Sequence, residues 1–151
     1  YNHRTNILDQ LMNNYFPNEN EIAKKFYLNK DQILKMHKNR MIIGSHSVNH
    51  YVMSRLDNKD QENEIIESFS YLENIVGNFN HKTFCYPYGG FHSFENHTER
   101  ILEKNNCLYS FNVEQRDIES NDLFFRKQAL PRYDCNQFNY GQVRNNLKKN
   151  I

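Results

Sequence analysis

No run of apolar residues in this chain approaches the roughly 18 to 20 needed to cross a membrane. No basic n-region followed by an apolar h-region marks a signal peptide. Charge of one sign is missing too, since 19 basic residues stand against 18 acidic ones for a net charge of +1. That balance removes the electrostatic case for nucleic acid or a membrane surface as a partner. Cysteine is sparse: Cys85, Cys107 and Cys135 show no CxxC spacing and cannot all pair, so neither a disulfide scaffold nor a zinc knuckle has support. Alanine occurs only at Ala23 and Ala129, whereas asparagine occurs 24 times, a compositional bias without a functional reading. There is no repeat and no low-complexity linker. What is present, 151 residues of which 38% are hydrophobic and 14% aromatic, suits one domain with a single core.

Along the chain, residues 1–28 are polar and Asn-rich, with one helix expected near Asn6 to Tyr15 and ended by Pro17. Asn29-Lys30-Asp31-Gln32 resembles a capping box ahead of a short helix carrying Ile33, Leu34 and Met36. Met41-Ile42-Ile43 is a short apolar run stopping at Gly44, which suits a buried strand. The clearest helix spans Asp60 to Val76, where Ile65, Ile66, Phe69, Leu72, Ile75 and Val76 recur at spacings of three and four before Gly77. Thr83 to Tyr86 reads as a strand ending at Pro87, Thr98 to Lys104 as a helix, and Leu108 to Val113 as a strand. A last short strand is expected before Pro131. Cys85, inside an apolar run, is expected to behave as a small buried hydrophobe.

Strands alternating with helices argue for α/β units and a mostly parallel sheet, open or curled into a barrel. Functional residues in such folds collect on loops after the C-terminal ends of strands. Three loops meet that condition. In the first, His46-Ser47-Val48-Asn49-His50, two imidazoles four apart can reach one metal ion, though a bare HxxxH is as readily accidental. In the second, Pro87 fixes its φ and Gly89-Gly90 permit positive φ, so the Tyr88 N–H can point at a ligand oxygen; the alternative is a turn whose aromatics pack on the core. In the third, Arg132 follows an apolar stub and can orient a carboxylate, or lie on the surface as most arginines do. His92 and His97 flank the second loop as lesser candidates.

Taken together, Gly44-Ser45-His46-Ser47-Val48-Asn49-His50, an amphipathic helix, Tyr86-Pro87-Tyr88-Gly89 and then Leu130-Pro131-Arg132 resemble the polysaccharide deacetylases, carbohydrate esterase family 4 or the NodB homology domain. The likeness runs from about Leu28 to Phe138, and the two main motifs in this order are more specific than either alone. The resemblance implies a deformed (β/α) barrel, of which residues 29–151 would be the C-terminal portion and 1–28 a polar N-terminal segment, an insertion of a longer domain. It implies His46 and His50 as ligands of a divalent metal, zinc being the expected ion, with Ser47 steadying their loop. Tyr88 would be the backbone oxyanion donor and Arg132 would orient the catalytic base. Tyr86, Pro87 and Phe91 would contact a carbohydrate substrate, a surface polysaccharide or its precursor. The implied reaction is metal-dependent hydrolysis of an acetyl group, chiefly N-acetyl.

Two family elements have no counterpart. No Asp-Asp pair precedes His46, where the only aspartates are Asp9 and Asp31, and no histidine follows His97 to serve as general acid. The base and the third metal ligand are therefore expected upstream of Tyr1, in a longer deacetylase; the alternative is a non-catalytic, glycan-binding homologue. Oligomeric state stays open, and so does the compartment, between cytoplasm and cell envelope.

Overall fold

The computed structural model describes residues 2–16, 18–77, 79 and 81–137. Pro17, expected to end the first helix, and Phe138, at the end of the family likeness, lie outside the described residues. The chain divides into two compact units, Tyr1–Met41 and Ile42–Ile151.

The first unit holds helices α1 (Asn2–Tyr15), α2 (Glu19–Phe26) and α3 (Lys30–Lys38). The capping box before α3 forms as its sequence suggests. Asn29 accepts the Gln32 N–H at 2.9 Å, and Gln32 accepts the Asn29 N–H at 2.8 Å. Helix α2 has no counterpart in the sequence reading, because its apolar residues are too few to show a period. None of the described residues of this unit is buried.

The second unit has a core. Helix α4 (Asn58–Val76) starts at Asp57, whose side chain accepts the Asp60 N–H, and stops at Gly77, whose φ of 77° and ψ of −124° suit glycine and break the helix. Strand β1 (Thr83–Cys85), helix α5 (Asn96–Lys104), strand β2 (Tyr109–Phe111) and helix α6 (Ser120–Phe125) follow. β1 and β2 pair in parallel with Phe84 opposite Ser110. Single-residue parallel bridges add Ser45 beside Phe84 and Leu130 beside Phe111. Four parallel segments thus stand side by side in chain order, separated by α4, α5 and α6, which is the βα alternation read from the sequence. Among the described residues this row is open and does not close into a barrel. A (β/α) barrel of the eight-stranded kind takes about twice as many segments.

Phe84 and Tyr86, two apart and therefore on one face, are fully buried with Met53, Ile65, Phe69, Phe94 and Leu102. The Tyr86 ring stacks on Phe94 with centroids 3.7 Å apart. Met41-Ile42-Ile43 does not form the expected buried strand. Met41 and Ile42 are 52% and 71% exposed, and only Ile43 packs against the core. Pairing begins at Ser45, whose N–H donates to Thr83 O and whose carbonyl accepts from Cys85 N. Gly44 lets the segment come that near, since a Cβ there would lie 2.5 Å from Thr83 Oγ1. Cys85 is half-buried rather than a full core residue, because its side chain points to the opposite face from Phe84.

Candidate functional site

All four parallel segments run the same way, so the residues that follow them leave at one end of the row. His46 comes directly after Ser45, Tyr88 two residues after Tyr86, and Arg132 two residues after Leu130. His46 Nδ1 donates to the Cys85 carbonyl at 2.7 Å. A carbonyl can only accept, so this bond places the proton on Nδ1 and leaves the Nε2 lone pair free. The His46 and His50 ring centroids are 4.8 Å apart, and the Tyr88 ring meets His50 edge-on at 4.9 Å. Desolvation holds His46 below the ordinary imidazole pKa, although the residue as a whole is exposed. The Cys85 carbonyl opposes that shift, and the neighbouring His50 and the charge of Arg132 reinforce it.

The loop carrying the two histidines is braced from below. Ser47 Oγ accepts the His50 N–H at 3.1 Å. Glu64, only 6% exposed on α4, accepts the N–H groups of Val48 and Asn49 at 2.9 and 2.8 Å. Ser45 Oγ bonds Ser68 Oγ on the next turn of α4. Ser47, His50 and Tyr88 all adopt positive φ, at 65°, 55° and 64°. Left-handed conformations of non-glycine residues cost about 1 to 3 kcal/mol each, so three of them in one place need such bracing. The role of Glu64 is invisible to a search for exposed motifs. Its one sequence signal is that Gln61, Glu64 and Ser68 occupy helical positions on the same face as Ile65 and Phe69.

The second loop separates into a buried and an exposed part. Tyr86 and Pro87 were expected to contact substrate, yet both are fully buried, and the Tyr86 hydroxyl is spent on the Gln128 carbonyl. The strand alternation that puts Phe84 in the core puts Tyr86 there as well. Burial and the nearby Glu99 push the Tyr86 phenol far above its usual range. Tyr88 is 50% exposed, and its N–H donates to no protein acceptor among the described residues. Gly89, at φ 71°, passes so close to Val113 that a Cβ would meet its side chain at 2.5 Å. Phe91 is exposed, with Phe94 and the guanidinium of Arg126 as its ring neighbours rather than the histidines. Arg132 is half-buried and donates its N–H to Glu114 O.

A cavity of about 460 Å³ adjoins the histidine loop, lined by Gly44 to Val48 and by Glu67, Ser68, Tyr71 and Leu72 of α4. His92 sits against Gly90, and its carbonyl accepts from Ser54; His97 lies half-buried on α5. Neither is brought to His46. Burial pushes the Cys107 thiol up to about 11, which keeps it out of nucleophilic chemistry near neutrality.

His46 and His50 are the residues that would supply two ligands to a divalent ion here. Imidazoles sharing one tetrahedral zinc at about 2.0 to 2.1 Å place their ring centres roughly 5 Å apart, close to the spacing seen. The Nδ1–H to carbonyl bond is the usual partner that sets the ligating tautomer. Among the described residues, no third His, Cys, Asp or Glu joins the pair.

The polysaccharide deacetylase family profile matches residues 7–110, more than half of the chain. The chain belongs to that family. Among solved structures, it is similar to one described as Streptococcus pyogenes deacetylase PplD in complex with acetate, with a TM-score of 0.64 at 19% identity. The match covers 75% of this chain and 47% of that one, so this chain spans about half the length of its structural relative. At that identity the likeness is one of fold: a mixed α/β architecture. No curated protein matches the sequence. No helix among the described residues is long and apolar enough to cross a membrane.

Proposed function

We propose that residues 29–151 are the C-terminal portion of a metal-dependent deacetylase domain that removes acetyl groups, chiefly N-acetyl, from a surface polysaccharide or its precursor. The observation carrying this reading is the His46–His50 pair, with His46 Nδ1 tied to the Cys85 carbonyl and Nε2 left for a ligand bond. His46 and His50 would hold the ion, zinc being the expected one. When bound, such an ion supplies Lewis-acid polarisation of the acetyl carbonyl and activation of a water.

The chain's own residues do the rest at this site. The Tyr88 N–H, set by a positive φ and uncommitted among the described residues, donates to the oxygen on which charge develops. Its ring, edge-on to His50, limits how the sugar approaches. Arg132, whose charge is felt at His46, is the residue that would orient a carboxylate base. Among the described residues no third His, Cys, Asp or Glu joins the pair, and the base is assigned to no residue of this chain. A second reading, a glycan-binding homologue without catalysis, draws on the exposed rings of Tyr88 and Phe91, 50% and 51% exposed.

Calorimetric titration with zinc tests the ligand assignment. About one ion per chain is expected, lost in His46→Ala and in His50→Ala; binding undiminished in both variants sinks it. Acetate release from an N-acetylated oligosaccharide separates the enzyme from the glycan binder.

A further inference from the structure

The five residues from His46 to His50 belong to no helix or strand, and two of them, Ser47 and His50, hold left-handed conformations. A segment of that kind keeps its shape only if something packed against it dictates the shape. Ser47 Oγ to His50 N is a bond within the loop and cannot anchor it to the fold. His46 Nδ1 ties the start of the loop to the Cys85 carbonyl, and Glu64 anchors its middle. Glu64 Oε2 accepts both the Val48 N–H and the Asn49 N–H, at 2.9 and 2.8 Å, and its Oε1 accepts from Asn49 Nδ2.

This carboxylate is 6% exposed, and among the described residues no basic side chain forms an ion pair with it. Three N–H donors of one loop stand in for its hydration. Helix α4 would pack as well with an apolar residue at this position, between Gln61 and Ser68 on its buried face. What an apolar residue could not do is hold two successive backbone N–H groups on one oxygen.

We propose that Glu64 is the positioning residue of the imidazole pair. It acts through Val48 and Asn49 to keep His46 and His50 on one side of the loop, and it touches neither ion nor substrate. The proposal rests on the reading of His46 and His50 as ligands. A glutamine at this position removes the negative charge that the Val48 and Asn49 N–H groups share, so bonds that are charge-assisted become neutral ones, and in the arrangement seen its N–H₂ faces Asn49 Nδ2.

Glu64→Gln tests it in the full chain, beside Ile101→Val, a small core truncation on α5 that serves as the stability control. Two readouts are taken: zinc affinity by calorimetry, and the side-chain imidazole and Val48 and Asn49 amide resonances of the ion-free protein. For Glu64→Gln, zinc affinity is expected to fall roughly tenfold or more, as when a residue supporting the ligands is lost. The Val48 and Asn49 amide signals should lose their low-field positions and the His46 and His50 ring signals should shift or broaden, while Ile101→Val changes neither readout. Wild-type affinity with unchanged ring signals in Glu64→Gln overturns the proposal. If the parent chain binds no zinc, the ligand reading fails on its own, and the ring signals still decide: shifted in Glu64→Gln they sustain the positioning role, unchanged they overturn it. Should Glu64→Gln fail to fold, Asn49→Ala removes a donor from the loop side, leaves α4 intact, and is judged by the same readouts.

Discussion

Helices α3 and α4 begin in the same way, with an Asx side chain accepting an amide three residues on: Asn29 from Gln32 and Asp57 from Asp60. They end differently. α3, in the first unit, buries none of its residues, whereas α4 buries Gln61, Glu64, Ile65, Ser68 and Phe69. Capping decides where a helix starts; burial decides what the helix can hold in place. The candidate site lies wholly in the unit that has a core. Its strained loop leans on the polar residues of α4's buried face, and the first unit offers no comparable platform of its own.

The sharpest test of that contrast is truncation in each unit. Leu102→Ala, at a fully buried position of the second unit, should cost about 2 to 5 kcal/mol in denaturant unfolding. Leu11→Ala, 51% exposed in the first unit, should cost less than about 0.5 kcal/mol. Equal costs would erase the distinction. Next in size are the caps. Asp57→Ala should lower the stability of the core-bearing unit by about 1 kcal/mol, while Asn29→Ala should reduce helical circular dichroism and leave that unit's unfolding midpoint in place.

A smaller effect belongs to acid. Paired hydrogen bonds from the Arg116 guanidinium bring the Asp122 carboxyl down to about 2 from its ordinary 3.8. A carboxyl lowered by folding contributes stability that is complete above its unfolded pKa and is lost as pH falls toward the folded one. Between about pH 4 and pH 2, Asp122→Asn should therefore flatten the loss of stability seen in the parent chain. An unaltered acid limb would show that this half-buried pair contributes nothing. Smallest of all is Lys24→Ala, which removes a surface pair with Glu21 and should shift unfolding by no more than about 0.5 kcal/mol.

Much of this molecule could be read before its structure was known, and the reasons are local. The spacing of Ile65, Phe69, Leu72 and Val76 marks α4, Gly77 marks its end, and Asn29 with Gln32 marks a helix start. The order of HSxxH, YPYG and Leu-Pro-Arg pointed to one family and to loops at one end of a parallel sheet. Other features depend on partners distant in sequence. Ile42 looks like a strand residue, yet nothing among the described residues covers it, and it stays 71% exposed. Tyr86 looks like a ligand-facing ring because it neighbours Tyr88, but the pleat carries it into the core against Phe94. Helix α6 has six residues, too few for a period, and Phe124 and Phe125 on it are more than 80% exposed, so apolar content gave no guide. Glu64 is the plainest case. A charge at a core position means nothing until the loop it receives has folded over it.

The central claim is that His46 and His50 act together as ion ligands, with His46 binding through Nε2. Side-chain nitrogen resonances recorded while zinc is added test it directly. The account predicts that His46 Nε2 and one nitrogen of His50 move together and saturate at about one ion per chain, while His46 Nδ1 keeps its proton and its bond to Cys85. Zinc that leaves both rings unmoved, or that shifts His92 or His97 instead, would contradict it.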